Sequence, residues 1–140
     1  MIFYKAVRPD GTDFYTGTVQ WVPESGIPTE GFTVNHPTST EWGERHSTHL
    51  CASTSPTGCE GFRWPCRLLE VEPASGVHEH AGTKVSALSW RVVRELPATQ
   101  AFGPQGAAVA ALIDGLRLRR LTAAQGAALV AAPIPDREVA

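Results

Sequence analysis

Pro97 divides the sequence into two compositions, and that division constrains the fold more than any other feature of the chain. Before it, β-branched and aromatic residues recur between clusters of turn formers; after it, the sequence becomes alanine-rich. Residues of the first kind suit a pleated, half-buried surface, whereas alanine has no side-chain rotamer freedom to lose in a helix. The 13 glycines and 11 prolines demand frequent turns and exclude long uninterrupted helices. The expected architecture is α+β: a mainly antiparallel sheet of about five or six strands packed against a C-terminal helix pair. A length of 140 residues suits a single domain over 1–140, with a β-rich part at 1–97 and a helical tail at 98–140.

Ile2 to Arg8 reads as a strand, Pro9-Asp10-Gly11-Thr12 as a tight turn, and Asp13 to Trp21 as the strand returning beside the first. A short strand is expected within Gly31 to His36, followed by a polar loop from Pro37 to Ser47. His49 to Thr54 reads as a buried strand that stops before Pro56, because proline cannot donate to a ladder. Cys66 to Glu72 forms another strand, Pro73 to Gly82 a loop, and Lys84 to Leu96 one long strand around Trp90. Pro104 opens the expected first helix, with Val109, Leu112, Ile113 and Leu116 on the face that docks on the sheet. Thr122 caps a second helix from Ala123 to Ala131.

At 42% hydrophobic and 19% charged residues, the chain is globular rather than disordered. A formal charge of −2 supplies no field for holding a nucleic-acid backbone or an anionic bilayer, so neither partner is expected. Lys5 cuts off the apolar opening Met1-Ile2-Phe3-Tyr4, and charges interrupt the alanine-rich tail far short of a membrane span. A cytoplasmic protein without leader or anchor is expected. Cys51, Cys59 and Cys66 are odd in number and read as thiols.

Five sets of residues offer chemistry. His46, His49, Cys51, Cys59, Cys66, His78 and His80 are zinc-capable, but their spacing matches no zinc ribbon or finger. A small zinc-binding domain is therefore one alternative, against solvated loop histidines and buried structural thiols, and no metal ligand set is assigned. Glu70 and Glu72, two residues apart on a strand, share one face and can act as a carboxylate pair; a salt-bridge ladder with Arg67 explains them equally. Ser53-Thr54-Ser55 at a strand end offers hydroxyls to a sugar or phosphate, or simply closes a turn. Trp42 and Trp64, the two tryptophans that strand periodicity explains least, join His78 and His80 as a candidate surface for a protein partner. Tyr4 and Lys5 can place a ring and a cation in a cleft.

The order Tyr4-Lys5-Ala6, Ser53-Thr54-Ser55, Glu70-Val71-Glu72 resembles the arginine, Ser-Thr-Ser, Glu-x-Glu order of ADP-ribosyltransferases. That resemblance implies an NAD-using site in which Lys5 orients the dinucleotide, Ser53 supports the nicotinamide ribose, and Glu70 and Glu72 supply the carboxylates. Lys5 stands where that family has arginine, and fourteen residues separate Ser55 from Glu70. A broader resemblance rests on Tyr4-Lys5-Ala6-Val7-Arg8-Pro9-Asp10-Gly11-Thr12-Asp13-Phe14, on Trp64-Pro65-Cys66-Arg67 leading into Glu70-Val71-Glu72, and on Arg91-Val92-Val93-Arg94-Glu95-Leu96-Pro97. These segments resemble an uncharacterised family of small actinobacterial and actinophage proteins, over about residues 3 to 105. The family carries no assigned activity; the resemblance implies an accessory protein of the host cytoplasm or the virion. The reading that results is a protein-binding module that needs no cofactor, with the NAD-dependent transferase and the zinc domain as alternatives.

Overall fold

The computed structural model describes residues 1–41, 49–59 and 61–118. Seven strands form one antiparallel sheet: β1 (Phe3–Val7), β2 (Phe32–Asn35), β3 (Leu50–Ser53), β4 (Arg67–Pro73), β5 (His78–Glu79), β6 (Lys84–Ala87) and β7 (Ser89–Leu96). Their order across the sheet is β2-β7-β4-β1-β3-β6-β5. One helix, α1 (Gly106–Leu118), follows a 3-10 turn at Ala98–Phe102. The chain is thus mainly an antiparallel sheet with helix after it, as composition demands, with more strands than expected. The second expected helix, Ala123 to Ala131, lies outside the described residues.

The expected single strand from Lys84 to Leu96 is broken at Leu88, and the break shapes the whole sheet. β6 and β7 lie four inter-strand steps apart in the sheet order. In a flat sheet those steps would separate them by about 19 Å, at roughly 4.8 Å per step. One residue between them spans no more than about 7 Å from Cα to Cα. The sheet must therefore curl until its two ends meet, as an open barrel does. Trp90 spans the interior this creates: its indole N–H on β7 donates to the Leu50 carbonyl on β3 at 2.9 Å.

Inside the curl lie Phe3, Val7, Leu50, Ala52, Leu69, Val71, Val85, Trp90 and Val92, all buried. Alternation along each strand puts these side chains on one face. The inner face is closed by the segment between β1 and β2, which contributes the buried Trp21 and Val22. The described part of the alanine-rich tail, α1, does not take that place. The helix α1 packs mainly on the Ala98–Phe102 turn. Trp64 fastens it, donating from its indole N–H to Asp114 Oδ1 at 3.0 Å. Leu112, expected on the packed face, is 64% exposed.

The expected strand from Asp13 to Trp21 is absent. Only isolated bridges, Val7 with Asp13 and Thr12 with Gln20, remain of the hairpin. A buried carboxylate reorganises the segment: Asp13 accepts from the Thr16 N–H at 2.7 Å, the Thr16 hydroxyl at 2.8 Å, the Val19 N–H at 3.0 Å and the Thr18 N–H at 3.2 Å. A charged acceptor that collects several donors outcompetes a strand ladder over the same residues. β1 is then left to pair with β4 along its full length and with β3 at one register pair, Tyr4 with Ser53.

The Pro9–Thr12 turn forms as expected, closed by the Gly11 N–H donating to the Arg8 carbonyl at 2.8 Å. Gly11 has φ +87°, and a Cβ there would lie 1.9 Å from the Val22 carbonyl oxygen. Backbone strain and steric overlap coincide, so Gly11→Ala is expected to cost about 2–4 kcal/mol. A thermal melt of the variant indistinguishable from wild type would contradict this placement of the turn.

Candidate functional site

Where β1 and β3 part after their single pair, a cleft of about 880 Å³ opens at the seam. Tyr4, Lys5 and Ala6 line it from β1, and Leu50 to Ser53 line it from β3. Lys84, Arg63, His36, His49, Cys59 and the Asp13 segment also line it. The sequence carries two lysines, Lys5 and Lys84, and both are here.

Lys5 belongs to the inner-face row Phe3, Lys5, Val7, so strand alternation turns it away from bulk water. Its ammonium lies 4.9 Å over the Trp21 ring, a cation–π arrangement. It forms no ion pair or hydrogen bond among the described residues. Desolvation pushes its pKa below the ordinary lysine value; Cys51, Asp13 and Cys59 pull against this, and the neighbouring charge of Lys84 adds to it.

Asp13 is the one carboxylate in the described wall. Burial pushes its pKa up, yet the bonds from Val19 and Thr16 and the charge of Lys5 outweigh that, and the net direction is downward. With its oxygens already occupied by the loop, Asp13 is structural.

Ser53 is buried, and its hydroxyl accepts from the Ser55 N–H at 3.3 Å, so it closes the turn before Pro56. It lines the cleft with Lys5, but Glu70 and Glu72 do not. Glu70 pairs with Arg94, and Glu72 with Arg91 at 3.5 Å, both across the β4–β7 ladder. Glu70, Tyr4 and Ser53 do stand in one cross-strand row. The four residues of the transferase-like order are therefore not gathered around one cavity.

Arg67 does not join a ladder with Glu70. They stand three positions apart along β4, an odd spacing that turns their side chains to opposite faces, and Arg67 pairs instead with Glu95 at 2.6 Å. A β-bulge between Glu70 and Val71 leaves Val93 as the extra residue on β7. That bulge lets Arg94 meet Glu70 while Val92 still meets Val71 inside.

The partner-surface residues divide. Trp42 lies outside the described residues, as does His46. Trp64 is half-buried, its ring 5.3 Å from Phe102 and its N–H on Asp114, so it ties the helix down. His78 and His80, expected on a solvated loop, sit on and beside the edge strand β5. His80 Nε2 hydrogen-bonds the buried Ser86 hydroxyl at 2.7 Å, and its ring stacks on His49 at 5.7 Å. A hairpin that returns within four residues, through Gly82 at φ +73°, draws His80 onto the sheet. Trp64 and His80 are thus both half-buried and engaged in contacts within the chain.

Among the described residues, no three of His, Cys, Asp and Glu converge as metal ligands. The cysteines are free thiols. Burial raises Cys59 and Cys66 to a pKa of about 11, so both are protonated and unreactive at neutral pH. Cys51, half-buried on the cleft wall, is the accessible one. No helix among the described residues is long and apolar enough to cross a membrane. No protein-family model matches the chain, and neither a curated protein nor a solved structure matches it.

Proposed function

We propose that the chain is a binding protein whose working site is the cleft at the β1/β3 seam, and that its ligand is a small organic anion bearing phosphate or carboxylate groups. One observation carries this reading: Lys5, Lys84 and Arg63 line one cavity whose described carboxylate, Asp13, is already occupied. Three cations against one carboxylate leave the described wall net positive, and in a partly dry cleft this favours an anion, because the low local dielectric strengthens each attraction. The cavity falls within the range of about 300–1,000 Å³ usual for small-molecule sites. Trp21 on the wall and Tyr15 at the rim, 77% exposed, add aromatic surface for a planar part of the ligand. This reading departs from the protein-binding module expected from the sequence: the ligand is a small anion, and the contact residues are those of the cleft instead of Trp42, Trp64, His78 and His80.

Isothermal titration with pyrophosphate, citrate and ADP-ribose tests it. At least one is expected to bind, and Lys5→Met and Lys84→Met are each expected to weaken binding about tenfold, the worth of one charge-assisted bond. A neutral nucleoside is expected not to bind. Silence from all three anions, or unchanged affinity in both variants, would remove the reading.

The NAD-dependent transferase is a second reading, supported by Lys5 and Ser53 on the cleft and by the row from Ser53 through Tyr4 to Glu70. It requires nicotinamide release from NAD that Glu70→Gln abolishes; NAD left intact on prolonged incubation rejects it.

A further inference from the structure

The occupant of the cleft can be narrowed further, resting on the anion-binding reading above. The two lysines differ in setting. Lys84 stands on the outer row of β6 opposite Ser53, while Lys5 is held on the inner row of β1 between Phe3 and Val7, opposite the buried Leu69. A lysine in that position is unusual, because the row is otherwise core and its amine gains no ion pair there among the described residues. It does gain a fixed position over the Trp21 ring and an opening onto the cavity. An amine that is desolvated, rigidly placed, near a second cation and exposed to a ligand site has the requirements of a covalent amine nucleophile.

We propose that Lys5 condenses with the carbonyl carbon of a small anionic aldehyde or ketone bound in the cleft, while Lys84 and Arg63 take its anionic group. The Lys5 Nζ lone pair forms a C–N bond as the C=O π pair moves onto oxygen. A proton passes from nitrogen to that oxygen, a second proton taken up from solvent lets the hydroxyl leave as water, and a protonated imine remains; no oxidant or reductant is consumed. The downward direction of the Lys5 pKa supports the step, since only the neutral amine attacks.

The test uses the full chain and pyridoxal 5′-phosphate as probe, with borohydride reduction at neutral pH and mapping of the adduct by mass spectrometry. Labelling of Lys5 is expected to exceed that of Lys84 by about tenfold, because Lys5 is the amine fixed over the Trp21 ring beside the bound carbonyl. Lys5→Arg is expected to lose the adduct, because a guanidinium cannot form the imine. Lys84→Met is expected to reduce labelling at Lys5 by weakening capture of the phosphate. Equal labelling of the two lysines, or an undiminished total in Lys5→Arg, would overturn the proposal. Pyrophosphate binding without any Lys5 adduct would sink the imine and leave the anion site standing. Labelling of Lys5 by a neutral aldehyde as readily as by the phosphorylated one would keep the nucleophile and remove the anion site.

Discussion

Trp90→Ala is expected to destabilise the protein by about 3–5 kcal/mol, the range for emptying a buried aromatic site. The side chain is fully buried, packs edge-on against Phe3 at 5.6 Å, and lies 6.5 Å from the Trp21 ring centroid. Its removal opens a cavity at the point where β7, β1 and the covering segment converge. It also strands the Leu50 carbonyl, whose acceptor it satisfies from the far side of the curl. Trp90→Phe separates the two effects: most of the volume returns, the donor does not, and a loss of about 1–3 kcal/mol is expected. Urea unfolding monitored by far-UV circular dichroism measures both. A change below about 1 kcal/mol in Trp90→Ala would mean that the ring does not bridge the sheet.

The second large effect belongs to Asp13. Asp13→Ala is expected to cost about 2–4 kcal/mol, because four donors of the covering segment lose a charged acceptor at once. The pH dependence has a definite sign. The native carboxyl titrates below its ordinary value, so the unfolded chain binds the proton first as pH falls. Its contribution is complete above the ordinary carboxylate range and disappears as pH drops through the depressed native value. Asp13→Asn should therefore flatten the acid limb of a plot of stability against pH. An acid limb as steep as that of wild type would show that another carboxyl carries it.

Strand alternation made much of this legible in advance. Leu69 and Val71 turned inward and Glu70 and Glu72 outward from a simple period of two, and the Pro9–Thr12 turn followed from residue chemistry. The Asp13 segment did not, because Phe14, Thr16 and Thr18 alternate with Tyr15, Gly17 and Val19 much as a strand would. Nothing in that pattern shows that one carboxylate will gather the backbone N–H groups instead. The break at Leu88 was hidden too, since an apolar run of strand formers looks the same whether it continues straight or changes neighbours. The cleft was half visible: Tyr4 and Lys5 marked a ring and a cation, while Lys84 and Arg63 reach the same cavity only through the curl. The sequence did hold a signal in its scarcity of lysine, with two such residues among twelve basic ones. A chain that uses arginine for its exterior ion pairs keeps its amines for somewhere else.

The lone Tyr4–Ser53 pair has a mechanical meaning. Six register pairs clasp β4 to β7 and five clasp β1 to β4, so that side of the curl behaves as a stiff plate. The plate's ladder with the smaller β3-β6-β5 leaf is a single register pair, backed by the short covalent joint at Leu88 and the indole strut of Trp90. A wedge driven between plate and leaf loosens a single clasp while every other ladder stays whole. Breathing is thus confined to the edge where Lys5 waits, and amide exchange on Leu50–Ser53 would report it.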